Sequence, residues 1–251
     1  MAAEKPDSSL ARMLGVLDLF DETRLTRTAE DIASAMEVSL PTGYRYVRML
    51  VEAGLLQRVE NSQYTLGPRI ILLDHVIRKA DPVLRVGIPV MRELVEQTGF
   101  DCVATGLFGT QVLDTHREAG NVPTALAYGR GRPRPLFQGA APKVIVASFA
   151  PPQLHKLFDA RLGEITRAGL PAEWSAFRRY YAAIRKAGHY LSVGELEPQL
   201  AAMAAPIENA EGVASSAISL VLETSRLGIL DTDKLAHLVM TAARRISEQL
   251  A

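Results

Sequence analysis

Two helix starts in quick succession, ahead of any strand-like run, constrain this chain more than any other feature. Thr28-Ala29-Glu30-Asp31 has the form of a capping box, an acidic side chain placed one turn after a threonine, with Ile32, Ala33 and Met36 following on one helical face. The helix begun there has to be short. Val38-Ser39-Leu40-Pro41 brings a new cap and a proline, which a helix accepts in its first turn and not later. A further helix is expected from Pro41 to Ala53, with Val47, Leu50 and Val51 on one side and Gly54 as its C-terminal stop. Upstream, Leu10, Met13, Leu14, Leu17 and Phe20 repeat at helical spacing behind the candidate caps Ser8 and Ser9. Downstream, Leu55 to Val59 and Gln63 to Leu66 flank Glu60-Asn61-Ser62 as a β-hairpin. Helix, helix, turn, helix, hairpin is the order of a winged helix-turn-helix.

Proline then divides the rest. The chain breaks at Gly67-Pro68, re-forms as an apolar helix from Arg69 to about Lys79 and breaks again at Asp81-Pro82. This predicts a winged helix-turn-helix over 1–67, a linker helix over 68–81 and a larger domain over 82–251. In that domain we expect a helix over Val83–Gln97 and a hairpin of Cys102–Phe108 with Gln111–His116. A strand at Thr124–Tyr128 follows, then helices near Ala140–Phe149, Pro152–Phe158 and Ala172–Lys186. Strands from Tyr190, near Met203–Ile207 and near Val213–Val221 precede a helix over Thr232–Leu250. Helices mixed with hairpin-linked strands imply an α/β chain of the α+β kind, a mainly antiparallel sheet flanked by helices.

Charge gives no help in choosing a function. Lys plus Arg and Asp plus Glu number 28 each, and residues 1–80 carry 10 basic against 11 acidic side chains. Nucleic-acid binders are usually basic, so a DNA-binding reading has to rest on pattern. The composition is 48% apolar, ample for packed cores, yet no apolar run approaches the ~20 residues of a membrane helix. Met1 to Asp7 lacks the layout of a secretory signal, so a cytoplasmic protein is expected. Cys102 is the single cysteine and the five histidines are scattered, so neither a disulfide, a metal nor a cofactor is expected.

In a helix-turn-helix the second helix presents its N-terminal residues to DNA. Here those are Ser39, Pro41, Thr42, Tyr44, Arg45 and Arg48, with Arg58 in the wing placed to reach a phosphate. Leu40, Tyr46, Val47 and Leu50 are expected to pack inward. The competing reading is a protein-interaction module with solvated arginines, and Gly43 counts slightly against the DNA reading, since a glycine inside a helix costs about 1 kcal/mol relative to alanine.

Several blocks resemble the IclR family of transcription regulators. They are Ser9-Leu10-Ala11-Arg12 through Phe20, Thr28 through Glu52-Ala53-Gly54-Leu55-Leu56, and Tyr64-Thr65-Leu66-Gly67. Pro135-Leu136-Phe137-Gln138-Gly139-Ala140-Ala141-Pro142-Lys143 is similar to the segment that in this family usually reads Pro-Leu-His, small residues, then Gly-Lys. Ile184 to Tyr190, Gly194-Glu195-Leu196-Glu197 and Ala204-Ala205-Pro206-Ile207 match later blocks. The resemblance implies homodimers or homotetramers, a double-stranded DNA operator and a C-terminal domain enclosing a small effector, often carboxylated or aromatic. Carried over position by position, Leu136, Phe137, Gly139 and Ala140 line one wall of the effector pocket. Ser192 and Glu195 lie beside the later strand, with Ala202 and Ser219 opposite. Leu136, Phe137 and Ala202 read alternatively as ordinary core.

Phe137 stands where the family usually has His, and Pro142 where it has Gly, so a less polar pocket and an aromatic or medium-length aliphatic carboxylate are expected. Gly129-Arg130-Gly131-Arg132-Pro133-Arg134-Pro135 contains the Arg-Gly-Arg-Pro core of a minor-groove hook. It reads alternatively as a solvated or intersubunit loop, or as an anion contact to the effector. Enzyme signatures are weak: no phosphate loop, G-x-S-x-G or H-E-x-x-H is found, and His189, Glu195 and Glu197 read as an exposed strand face rather than an acid/base set. The expected function is a ligand-responsive, sequence-specific DNA-binding regulator and not an enzyme. The alternative is a small-molecule-binding enzyme with an N-terminal assembly module.

Overall fold

The capping box at Thr28 forms in both directions. Its hydroxyl accepts from the Asp31 N–H at 3.1 Å and the Asp31 carboxylate accepts from the Thr28 N–H at 3.0 Å. These facts come from a computed structural model of the chain, which describes residues 8–121 and 129–250 and groups them into two compact units, Met1–Ala80 and Asp81–Ala251. The strand expected at Thr124–Tyr128 lies outside the described residues.

The first unit opens with helix α1 (Ser9–Gly15), continued by a single 3-10 turn over Val16–Leu19. The change at Gly15 redirects the apolar stripe: Val16 is buried, whereas Leu10 and Leu14, expected inside, are exposed. Strand β1 (Arg27–Thr28) leads into α2 (Ala29–Ala35) and α3 (Leu40–Glu52). β2 (Leu56–Arg58) and β3 (Gln63–Leu66) form the hairpin, and β3 pairs with β1 on its other side. At the hairpin tip Asn61 and Ser62 both have positive φ, at 56° and 59°, as tight turns matched to strand twist require. Ala29, Ile32, Tyr46, Val47, Leu50 and Leu56 close the core around Val16. Helix α4 (Arg69–Ala80) ends the unit with none of its residues buried.

The second unit begins with α5 (Pro82–Thr98), whose cap is the Asp81 carboxylate, accepting from the N–H groups of Val83 and Leu84. Next come β4 (Asp101–Phe108), β5 (Gln111–Glu118), the short β6 (Pro133–Arg134), α6 (Ala140–Ala147), α7 (Pro151–Arg167) and α8 (Trp174–Ala187). β7 (Tyr190–Val193), β8 (Leu200–Glu208), β9 (Ala214–Glu223) and α9 (Thr232–Glu248) complete it. The described strands run β6-β5-β4-β9-β8-β7, each antiparallel to its neighbours.

The period-two alternation of the strands separates two cores. Cys102, Met203, Ile207, Ile218 and Leu220 meet α5 and α9 on one face, while Ala204 and Ala217 meet the aromatic-rich layer of α6, α7 and α8 on the other. Small side chains on that second face let α6 lie close to the sheet. α7 is longer than expected from Pro152–Phe158, and its φ of −128° at Arg161 marks the bend where the expected helix gives out.

Candidate functional site

In the first unit the exposed side of α3 is built by its packing side. Tyr46, Val47 and Leu50 are buried, so Pro41, Tyr44, Arg45 and Arg48 face outward together and Thr42 is half-buried. Leu40 is a correction: expected inside, it is 44% exposed, because it stands in the first turn before α3 meets α2. Ser39 caps α3 in extended conformation, its hydroxyl 2.9 Å from that of Thr42.

Gly43 packs where α3 crosses α2. A Cβ there would lie 2.7 Å from the Ala33 Cβ, so the residue that weakens the helix is the one that lets the two helices meet.

Carboxylates border this surface. The Tyr44 hydroxyl donates to Glu30 at 2.7 Å, which holds the Glu30 carboxyl below its usual range and raises the Tyr44 phenol. Arg48 pairs with Glu52 at 2.8 Å, both largely exposed. Arg45 touches only the Tyr46 ring, with its guanidinium 5.8 Å from the centroid and no carboxylate partner among the described residues. In the wing, Arg58 donates to Ser62 at 3.2 Å.

In the second unit a cavity of about 40 Å³ opens where the start of α6 meets the sheet. Arg134 of β6, Gly139 to Ala141, Ser192 of β7, Glu195 to Glu197, Leu200 to Ala202 of β8, and Ser219 and Val221 of β9 line it. Strand register sets Ser192 beside Ala202 and Ala202 beside Val221, with Ser219 one row away opposite Ala204. Gly139 holds φ at 82°, and a Cβ there would lie 2.9 Å from Leu196, so only glycine turns the chain into α6 at this point.

Glu195 organises the polar side. Its Oε2 accepts from the Gly139 N–H at 2.9 Å and pairs with the buried Lys143 ammonium at 2.7 Å, and its Oε1 accepts from the Tyr190 hydroxyl at 2.9 Å. Lys143 also reaches the Tyr190 hydroxyl at 3.2 Å, and the Tyr180 hydroxyl donates to Tyr190 at 3.0 Å. Burial first, then the hydrogen bonds with Tyr180 and Glu195, push the Tyr190 phenol well above its ordinary value. Arg134 makes a bidentate pair with the buried Asp114, at 2.6 and 2.5 Å.

Six of the eight expected effector residues, Gly139, Ala140, Ser192, Glu195, Ala202 and Ser219, line this one cavity. Leu136 and Phe137 do not. Phe137 is 2% exposed and meets Phe177 of α8 edge to face at 6.3 Å, and both residues belong to the α6–α8 core because the chain turns at Gly139, after them.

The Arg-Gly-Arg-Pro segment is held against the sheet, with Arg130 donating to the Thr115 carbonyl and Pro133–Arg134 paired to β5. A minor-groove hook needs its arginines extended and available, which this arrangement opposes. His189 bonds the Ala187 carbonyl while Glu195 is committed to Lys143, so the two do not form an acid/base relay.

Comparison with known proteins places this geometry. Residues 9–60 match the IclR helix-turn-helix domain, and residues 75–248 match the C-terminal domain of bacterial IclR transcriptional regulators. The chain belongs to the IclR family. Among curated relatives, the HTH-type transcriptional regulator XynR of Escherichia coli is 27% identical over 221 residues, 87% of each chain. KipR of Bacillus subtilis, also an HTH-type transcriptional regulator, is 23% identical over 252 residues, 98% of each. A crystal structure of an IclR homologue from Microbacterium hydrocarbonoxydans, complexed with 4-hydroxybenzoate, has the same fold. Its TM-score is 0.79 at 23% identity, covering 97% of this chain and 99% of that one.

As an IclR-family member the protein is a helix-turn-helix transcription regulator with a DNA-binding N-terminal domain and a ligand-binding C-terminal domain. Among the described residues no helix is long and apolar enough to cross a membrane. In this IclR chain Lys143 and Tyr190 belong to the polar site and were not foreseen, whereas Arg134, which lines the cavity, lies in the loop read as an anion contact. Lys143 carried a readable signal, being a lone charge in Ala-Ala-Pro-Lys-Val-Ile-Val-Ala, where a buried ammonium demands a partner. Tyr190 carried none, since only the folded turn after β7 brings its hydroxyl to Glu195.

Proposed function

We propose that this regulator reads its operator with Ser39, Pro41, Thr42, Tyr44, Arg45 and Arg48 of α3 and with Arg58 of the wing, and that a small organic acid bound at the Gly139–Glu195–Ser219 cavity modulates that binding. The outward row on α3 is the observation that carries the first half. Arg45 is the group best placed to read a base, because no carboxylate competes for it. Arg48 is tied only by a solvent-screened, exposed pair with Glu52, which a phosphate can replace. The cavity supports an acid of few heavy atoms. About 40 Å³ holds roughly three water-sized groups, far below the ~150 Å³ that accommodates benzene. Phe137 lines a separate space of about 270 Å³ with Leu136 and Gln138 and gives this cavity no aromatic wall; the Microbacterium homologue was crystallised with 4-hydroxybenzoate.

The protein acts as a homodimer or homotetramer in the cytoplasm, with division into 1–67, 68–81 and 82–251. Support for self-association is the face of α4, where Ile71, Leu72, Val76 and Ile77 are each more than half exposed, together with Leu10 and Leu14 of α1. Its role is regulation rather than catalysis, as the relatives' names support.

A gel-shift series on DNA upstream of the protein's own gene, run across salt concentrations with and without two- to four-carbon and benzoate-like acids, tests both halves. A steep loss of affinity with salt is expected, as is a shift with the smaller acids. Salt-insensitive binding sinks the DNA reading. Indifference to every acid sinks the effector reading.

A further inference from the structure

Glu195 lines the cavity, whereas Lys143, paired with it at 2.7 Å, does not. The lysine side chain is 5% exposed and the glutamate 21%, so the carboxylate stands between the open space and the buried ammonium. Around that carboxylate converge the Lys143 ammonium, the Gly139 N–H at the start of α6 and the Tyr190 hydroxyl. A cation, a helix-start N–H and a phenol in one place form the receptor that a free carboxylate seeks. Ser192, 5% exposed and lining the same cavity, makes no side-chain hydrogen bond among the described residues. The receptor is therefore built, and a residue of the chain itself fills it.

We propose that Glu195 is an internal stand-in for the effector: the carboxylate of the bound acid replaces it on Lys143, Gly139 and Tyr190, and Glu195 leaves with the turn that joins β7 to β8. This rests on the reading of the cavity as the effector site. The exchange keeps charge constant, so Lys143 is never left buried without a counter-ion, the state that makes breaking such pairs costly. Departure of the glutamate side chain also enlarges a space that is otherwise about 40 Å³. The tethered carboxylate competes at an effective concentration on the order of millimolar or above, so an acid offering nothing but a carboxylate binds weakly. Affinity comes from what the rest of the ligand gains from Ser192, Ser219 and Arg134. Because Glu195 holds both Gly139 and Tyr190, its displacement loosens the start of α6 and the end of the sheet together, which converts occupancy into movement.

The test is thermal-shift titration of the full-length protein with sodium formate and sodium acetate, against sodium chloride at matched ionic strength. Wild type, Glu195→Ala, Glu195→Gln and the double variant Glu195→Ala/Lys143→Met are compared. Wild type is expected to bind the two acids weakly but saturably, Glu195→Ala and Glu195→Gln at least tenfold more tightly, and the double variant not at all. Should Glu195→Ala fold only when formate or acetate is present, that rescue supports the exchange. Should it not fold in any of the salts, Glu195→Gln decides. Wild type without a saturable carboxylate response, or variants that bind the acids no more tightly than wild type, overturn the proposal. Acid binding that leaves operator affinity unchanged sinks the effector reading while the displacement stands. An operator response to acids that is identical in wild type and Glu195→Gln overturns the displacement and leaves the effector reading intact.

Discussion

Arg45 is the side chain on which the DNA reading turns most directly. Its guanidinium lies over the Tyr46 ring and is not drawn to a carboxylate, so its fork is available for a base edge or a phosphate at no cost in ion pairing. Arg45→Ala is expected to lose roughly 1–3 kcal/mol of operator affinity with an unchanged melting temperature, because the residue is exposed. A gel-shift indistinguishable from wild type sinks the assignment.

The buried phenols give a second expectation at this scale. Tyr190 and Tyr181 both have raised pKa values, burial being the first cause in each, and among the described residues the Tyr181 hydroxyl has no partner. The folded state holds these phenols neutral more firmly than the unfolded chain does, where they ionise near pH ~10. The stability this supplies is complete below that pH and is lost as the pH climbs toward the folded values. In an alkaline titration followed by phenolate absorbance, the exposed tyrosines should ionise first, and these two only as the fold is lost. Ionisation of all seven tyrosines around pH ~10 with the fold intact contradicts this.

Among the elements, the α2–α3 pair shows what sequence does and does not encode. Its two start signals were readable because capping is local chemistry: Thr28 and Asp31 satisfy each other's backbone within one turn. Thr28→Ala should therefore cost about 1 kcal/mol of stability in denaturant unfolding. Gly43 was read the wrong way, as a weakness, since its reason lies on the neighbouring helix. Gly43→Ala places a Cβ 2.7 Å from that of Ala33. Overpacking of this kind is expected to cost about 1–3 kcal/mol, and because the helices must part, to weaken DNA binding as well. A stabilised Gly43→Ala, the outcome that helix propensity alone predicts, shows that the contact relaxes freely.

At the scale of the whole molecule, the apolar surface of the first unit needs cover. α4 has no buried residue, yet it carries Ile70, Ile71, Leu72, Leu73, Val76 and Ile77, a composition that water does not favour on a lone helix. With a second copy as the partner, paired heads can reach two half-sites, and each gains from the other's binding. Replacing Ile71 and Val76 with Glu should shift the protein toward monomer in sedimentation and reduce operator affinity by well over the loss from Arg45→Ala. A double variant that keeps its oligomeric state places the contact elsewhere.

Helix starts, the hairpin, the proline breaks and the antiparallel strand pattern were determined by the sequence itself, because caps, turns and side-chain periodicity act over a few neighbouring residues. Six positions of the cavity were legible too, by resemblance and not by their chemistry. The tertiary structure alone decided that Phe137 belongs to the core and that Leu40 faces out. It also brought Lys143 to Glu195, 52 positions apart in the chain (195 − 143), and Gly139 to Glu195, 56 apart. Such pairings arise from the crossing of α6 over β7 and β8, and the burial that makes them matter exists only after the sheet and its helices have closed on each other.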